Sequence, residues 1–235
     1  RNTLRRLSND EAPRGRPASP ATSLTLTLTL TPKLKLTLTL MRPFLVEAQT
    51  SLTPEALADR LRGEPGLVVL RTRGFDSPHA RYSMVTARPF ASLRSLGARC
   101  EITQGDELRV QFGNPWHLLD LLMARYELLD EVDLPFPLGG CFGFWGYDLK
   151  NFVEPRLSRR AVNDLELPDC HVGFYDSLAV FDHCLGKTWI ISTGLRPDGS
   201  RHPDLAQSKL DWWRRVLADD RDGSAPALST PTPTS

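Results

Sequence analysis

The residues best suited to chemistry are the carboxylates Asp148, Glu154, Asp169, Asp176 and Asp182, which fall close together in the chain. Paired carboxylates can hold Mg²⁺ through oxygen, or trade a proton as acid and base. The same residues can equally cap turns or pair with Lys150, Arg159 and Arg160, and residue types alone leave both readings open. The histidines are His79, His117, His171, His183 and His202, and no two have metal-ligand spacing on one helix. His183 follows Asp182 in a strand pattern, so their side chains are expected on opposite faces. No serine sits in a G-x-S-x-G elbow. Cys100, Cys141, Cys170 and Cys184 include no C-x-x-C pair, so zinc and dithiol chemistry lack their usual spacing. They read as buried free thiols in a reducing cytoplasm. This inventory assigns the chain no catalytic residue and no metal ligand.

The segment around these carboxylates is dominated by one stretch, Leu134 to Asp148, reading LPFPLGGCFGFWGYD. Prolines on both sides of Phe136 make its start stiff and extended. Phe142, Phe144, Trp145 and Tyr147 then alternate irregularly with Gly139, Gly140, Gly143 and Gly146. Aromatic bulk beside glycine predicts a buried core strand that another segment approaches closely. The glycines fit neither a dinucleotide fingerprint nor a P-loop, which need G-x-G-x-x-G and G-K-[ST].

The chain has 235 residues and a net charge of +1. That length suits one sizeable domain with tails. The balanced charge gives no electrostatic case for nucleic acid or an anionic membrane. No apolar run is long enough to span a bilayer. Residues 1–40 differ from the rest. Arg1, Arg5, Arg6, Arg14 and Arg16 make the start basic, and Pro13, Pro17 and Pro20 break any helix. From Leu24 to Leu40, leucine alternates with threonine or lysine, which has the strand period but also the simplicity expected of a low-complexity, non-native leader. Asp10 and Glu11 argue against a transit peptide. The natural start is expected at Met41, with a domain over 41–220 and linker composition over 221–235.

Within 41–220 the elements follow familiar signals. Thr53 as cap, Pro54 at the first position and Gly63 beyond the end predict a helix from Thr53 to Arg62. Asn114 and Pro115 open a second helix whose apolar stripe is Trp116, Leu119, Leu122, Met123, Tyr126 and Leu129. A third helix runs from about Pro203 to Ala218. Strands are predicted at Leu67–Leu70, Arg81–Ala87, Phe90–Leu96, Leu108–Phe112, His171–Asp182 and Thr188–Thr193. Arg73 to Ala80 and Arg156 to Asp164 read as loops. Strands, hairpins and three helices make an α+β domain with a largely antiparallel sheet.

Several of these pieces together carry a resemblance. They are Asp133 to Phe136, Gly139 and Gly140, Phe144 to Leu149, Glu154, Leu167 to Asp169, Val172 to Asp176, and Phe181 to His183, with Arg81, Tyr82 and Ser83 upstream. The combination resembles the N-terminal region of aminodeoxychorismate synthase component I, in the anthranilate synthase component I family, over roughly Met41 to Asp220. The resemblance implies a β-sandwich flanked by helices, shared with a catalytic half. It implies an enzyme that converts chorismate to 4-amino-4-deoxychorismate for 4-aminobenzoate and folate, with ammonia from a glutamine amidotransferase subunit. Anthranilate synthase component I is the alternative. A stand-alone amino-acid-binding regulatory module is another. In this family the Mg²⁺ ligands and catalytic lysine lie in the chorismate-binding half, which no segment here matches, so the chain reads as a fragment or a split subunit. The N-terminal half of the family also holds a tryptophan pocket built on a Leu-Leu-Glu-Ser motif. The matching residues here are Val69, Leu70, Arg71 and Thr72, with Arg71 in place of the glutamate and Thr72 in place of the serine. The implied ligand-binding set is Leu70, Arg71, Thr72, Tyr82 and Ser83, for tryptophan or a similar amino acid.

Overall fold

The computed structural model describes residues 42–72, 80–128, 132–157 and 167–218, and the backbone of 24–29 and 35–40. The Leu-Thr repeat forms an antiparallel pair of its own, β1 (Leu24–Thr29) with β2 (Lys35–Leu40), outside the two main sheets. The domain proper begins with β3 (Phe44–Ala48), α1 (Pro54–Arg60), β4 (Val68–Leu70), β5 (Tyr82–Thr86) and β6 (Ala91–Leu96). It continues with β7 (Arg99–Gln104), β8 (Glu107–Phe112), α2 (Pro115–Tyr126), β9 (Gly140–Trp145) and a short α3 (Lys150–Val153). It ends with β10 (Cys170–Tyr175), β11 (Ser177–Asp182), β12 (Lys187–Ser192) and α4 (Pro203–Leu217).

These strands make two antiparallel five-stranded sheets, ordered β8-β7-β6-β10-β9 and β3-β12-β11-β5-β4. The predicted α+β, largely antiparallel class is what the structure has. The two capped helix starts among the three predicted hold at the atomic level. Thr53 Oγ1 accepts from the Ala56 N–H at 3.2 Å, and Asn114 Oδ1 accepts from the Trp116 N–H at 3.0 Å. Each satisfies an N–H that has no partner within its helix.

Packing follows the alternation of the strands. One face of the second sheet places Val85, Ala179, Phe181 and Ile190 against Leu57 and Leu61 near α1, and against Leu210, Trp213 and Leu217 of α4. Its opposite face buries Leu178, Val180 and Ile191 under Phe136, the residue held between the two prolines. The first sheet places Leu93, Cys100, Val172 and Phe174 against Leu119, Leu122 and Tyr126 of α2. Met123, counted in the predicted stripe, is largely exposed, and Leu129 lies outside the described residues.

Two sequence expectations are corrected. The single strand predicted from His171 to Asp182 is two strands that belong to different sheets. The break is at Asp176, whose carbonyl accepts from the Thr193 N–H at 2.8 Å and the Thr193 hydroxyl at 3.1 Å. An apolar run reads the same whether or not it changes sheets, so its pattern could not reveal the switch. The Gly-aromatic strand, predicted as buried core, is an edge strand. Phe144 is 46% exposed, Trp145 43% and Tyr147 82%. The close approach its glycines implied is real but one-sided. A Cβ on Gly143 would lie 2.2 Å from the His171 carbonyl of β10, while the far side of β9 carries no further strand among the described residues.

Sequence reasoning missed β3, β7 and α3. The turns around β7 are left-handed glycines, Gly97 at φ +54° and Gly105 at φ +58°, a hairpin signal that was legible. The predicted loops at 73–80 and 156–164 fall almost wholly outside the described residues.

Candidate functional site

The predicted ligand set sits where β4 ends against β5, with Leu70 paired to Met84. One step beyond, the Thr72 N–H donates to Ser83 Oγ at 3.2 Å. That hydroxyl is buried and lies 2.8 Å from His183 Nε2. The Ser83 hydroxyl thus bridges the Thr72 backbone and the His183 ring. Arg71 turns toward α1, where its Nε lies 2.5 Å from Glu55 Oε1. Glu55's own backbone N–H, the Thr53 hydroxyl and the charges of Arg71 and His183 hold its carboxyl below the usual range, against the opposing effect of burial. A polar cavity of about 400 Å³ opens here, lined among others by Ser51, Glu55, Arg71, His183, Lys187 and Thr188.

Of the five predicted residues, Thr72 and Ser83 meet through their hydrogen bond, Arg71 lines the cavity, and Leu70 stays at the strand end, 45% exposed. Tyr82 does not join them. It neighbours Ser83 on a strand, so it faces the other side of the sheet. Its ring meets Phe136 edge-on at 5.4 Å, with the Arg81 guanidinium 4.9 Å from its centroid. Sequence reasoning missed Glu55, His183 and Lys187. Glu55 lies in the first turn of α1, and nothing in the sequence places α1 beside the end of β4.

Four of the five carboxylates that opened the sequence reading have separate partners. Asp148 pairs with Lys150 at 3.2 Å. Asp169 accepts from the Gly97 N–H at 2.6 Å. Asp176 is buried 3.3 Å from Lys209, and burial pushes its carboxyl up despite that cation. Asp182 is buried against the Arg81 guanidinium and also accepts from the N–H groups of Cys184 and Leu185. Burial alone would raise its carboxyl, but these bonds outweigh it and hold it low. Asp182 and His183 thus have different partners, but both line the cavity at the end of β4, because β11 ends at Asp182 and His183 lies beyond the strand. Glu154 is exposed. Among the described residues, no three His, Cys, Asp or Glu side chains converge where a metal ion could sit. The four cysteines are unpaired, and burial pushes the Cys141 thiol up to about 12, leaving it inert as a nucleophile.

A second cavity, of about 470 Å³, lies between α2 and Gly139 to Cys141, walled by Met123, Leu138, Phe174 and Leu195. The hydroxyls near it are already engaged, Tyr126 with the Pro197 carbonyl at 3.0 Å and Tyr175 with the Gly66 carbonyl at 2.6 Å. It is an apolar space without convergent polar groups. Among the described residues no helix is long and apolar enough to cross a membrane.

With this geometry established, likeness to known proteins can be placed on it. No protein-family model matches the chain. It is 33% identical over 125 residues to "Aminodeoxychorismate synthase component 1" of Klebsiella aerogenes, covering 52% of this chain and 27% of that protein. It is 30% identical over 141 residues to "Anthranilate synthase component 1" of Acetivibrio thermocellus, covering 59% of this chain and 28% of that protein. Over about half its length, this chain is similar to component 1 of aminodeoxychorismate synthase and of anthranilate synthase. The matched region spans little more than a quarter of the length of these component 1 relatives. A solved anthranilate synthase component I from Streptococcus pneumoniae TIGR4 is 24% identical, with a TM-score of 0.49, and covers 71% of this chain and 34% of that one.

Proposed function

We propose that this chain is the N-terminal, non-catalytic part of a chorismate-utilising enzyme of the component 1 kind. The reading supported best is aminodeoxychorismate synthase, which makes 4-amino-4-deoxychorismate on the way to 4-aminobenzoate and folate. The observation that carries it is the 33% identity over 125 residues to the Klebsiella aerogenes protein. Anthranilate synthase is the second reading, favoured by the similar match to the Acetivibrio thermocellus protein. Arg71 weighs against it, since a cation stands where the resemblance expects the glutamate of the tryptophan motif. In this reading the partners are a chorismate-binding catalytic part and a glutamine amidotransferase subunit that supplies ammonia. Mg²⁺ in this reading belongs to the catalytic part. The unpaired cysteines suit a reducing cytoplasm.

The test is direct. The chain alone, given chorismate, Mg²⁺ and an ammonium salt, is expected to form no aminodeoxychorismate or anthranilate above the buffer blank. Product formation that disappears on mutating a residue of this chain would contradict the proposal.

For the site at the end of β4, we propose a weak hold on an aromatic amino acid at best. A ligand ammonium needs a carboxylate, and the carboxylate at hand, Glu55, is already engaged by Arg71. Thr72 and Ser83 offer hydrogen bonds worth roughly 0.5–1.5 kcal/mol net. Calorimetry with tryptophan is expected to show a dissociation constant no tighter than about 10 μM, or about −7 kcal/mol. Arg71→Ala releases Glu55 and should tighten binding by roughly fivefold to tenfold. Submicromolar binding by the unaltered chain, or no response to Arg71→Ala, would overturn this assignment.

A further inference from the structure

The strand β8 has no counterpart in the functional reading above. It is the edge of its sheet opposite β9, and all six of its residues are exposed. Leu108, Val110 and Phe112 share one face, at 59%, 46% and 77% exposure. Glu107 and Arg109 share the other face and pair with each other, Arg109 Nε to Glu107 Oε1 at 2.8 Å. Exposed edges are ordinarily protected by an unbalanced charge, a proline or a bulge. Here the charges cancel within the strand, and β8 contains no proline.

The direction of its free backbone groups can be read from its neighbour. The Gly113 N–H donates to the Ala98 carbonyl, toward β7. Backbone direction alternates along a strand, so residues 107, 109 and 111 also bond inward, to β7. Leu108, Val110 and Phe112 therefore present their N–H and C=O groups outward. The residues with free backbone groups are the apolar ones.

We propose that β8 is a homodimer interface, in which a second copy of this chain pairs with it antiparallel about a two-fold axis at Val110. Hydrogen-bonded pairing requires outward residues to meet outward residues, which leaves few registers. With the axis at Val110, Val110 meets its own copy, Leu108 meets the partner's Phe112, and Arg109 meets the partner's Gln111. Every apolar residue of the strand is matched, and each of these apolar pairs exchanges two backbone hydrogen bonds. An axis at Arg109 would set Arg109 against itself, and an axis at Leu108 would leave Phe112 without an apolar partner. The interface is isologous and joins two five-stranded sheets into one continuous sheet. It lies at the sheet edge opposite the exposed aromatics of β9.

Sedimentation of the full chain over a concentration series is expected to show a reversible monomer–dimer equilibrium. Val110→Lys puts two like charges directly opposite each other and should weaken dimerisation roughly tenfold or more. The register is read by cross-linking in a Cys184→Ser background, because that thiol is exposed. Hydrogen-bonded antiparallel pairs have Cα atoms about 5.5 Å apart, within the span of a disulfide. Under mild oxidation Val110→Cys should link to itself. Leu108→Cys alone should not, whereas an equimolar mixture of Leu108→Cys and Phe112→Cys should. Trp145→Lys, on the opposite edge, should leave the Val110→Cys link intact. A monomer at the highest concentration, Leu108→Cys linking as readily as Val110→Cys, or loss of the link with Trp145→Lys would each overturn the proposal.

Discussion

Replacing Trp213 by alanine is expected to cost about 3–5 kcal/mol, the range for truncating a buried tryptophan. Trp213 is fully buried on α4. It packs in the cluster that joins Leu57 and Leu61 to Val85, Ala179 and Ile190, so it ties two helices to the second sheet at once. Its ring also meets Trp212 at 4.7 Å between centroids. Its indole N–H has no hydrogen-bond partner among the described residues, so the loss is one of packing rather than of a polar bond. A domain of this size is stable by about 5–15 kcal/mol, and the variant should approach the unfolding threshold. Urea denaturation is the measurement. Trp213→Phe should recover part of the midpoint, since much of the volume returns. A loss below about 1 kcal/mol for the alanine variant would mean that α4 is not the clamp described.

Gly143→Ala should be the most damaging single methyl group in the Gly-aromatic stretch. The added Cβ would sit 2.2 Å from the His171 carbonyl oxygen and 2.7 Å from the Val172 Cα. Both are backbone atoms of β10, so neither can swing away as a side chain tip would. The glycine also has φ +155°, where a side chain is strained. Relief requires β9 to leave β10, with a cost of about 3 kcal/mol or more. Gly113→Ala is the matched control, because nothing lies within 4 Å of its Cβ. Thermal melts together with amide exchange over 140–145 would read both the stability and the detached strand. If Gly143→Ala behaves like Gly113→Ala, the close pairing of β9 with β10 is wrong.

These two residues show what was and was not legible in the sequence. The glycines of the Gly-aromatic run announced a close approach, and the structure supplies it at Gly143 and Gly146. The same run could not announce how many of its sides are covered, since an edge strand and a core strand can share one composition. Helix starts were legible because a cap acts over three residues: Thr53 and Asn114 meet their targets within the same turn. The change of sheet at Asp176 was not, because its cause is Thr193, distant in the chain. The candidate site divides in the same way. Thr72 and Ser83 come together through strand pairing that two short strands and a loop already implied. Glu55 and His183 arrive through tertiary packing of α1 and the β11–β12 turn, which leaves no local trace. Tyr82 entered the set with Ser83 through the resemblance, but neighbours in a strand face opposite sides.

The central claim is that this chain supplies one side of a structure completed by a catalytic part. The exposed aromatics Phe144, Trp145 and Tyr147 on and beside an open edge are the feature that such a part would cover. Covering large apolar side chains contributes roughly 1.5–3 kcal/mol for each one fully buried. The most direct measurement is thermal melting of the full chain, alone and mixed with the portion of the Klebsiella aerogenes relative that this chain does not match, with chorismate turnover followed in the same samples. The expected result is a rise in melting temperature of about 4 °C or more, with product formed only in the mixture when Mg²⁺ and ammonium are present. A melting temperature unmoved by that portion, with no turnover in the mixture, would contradict the claim and show a domain that closes its own core.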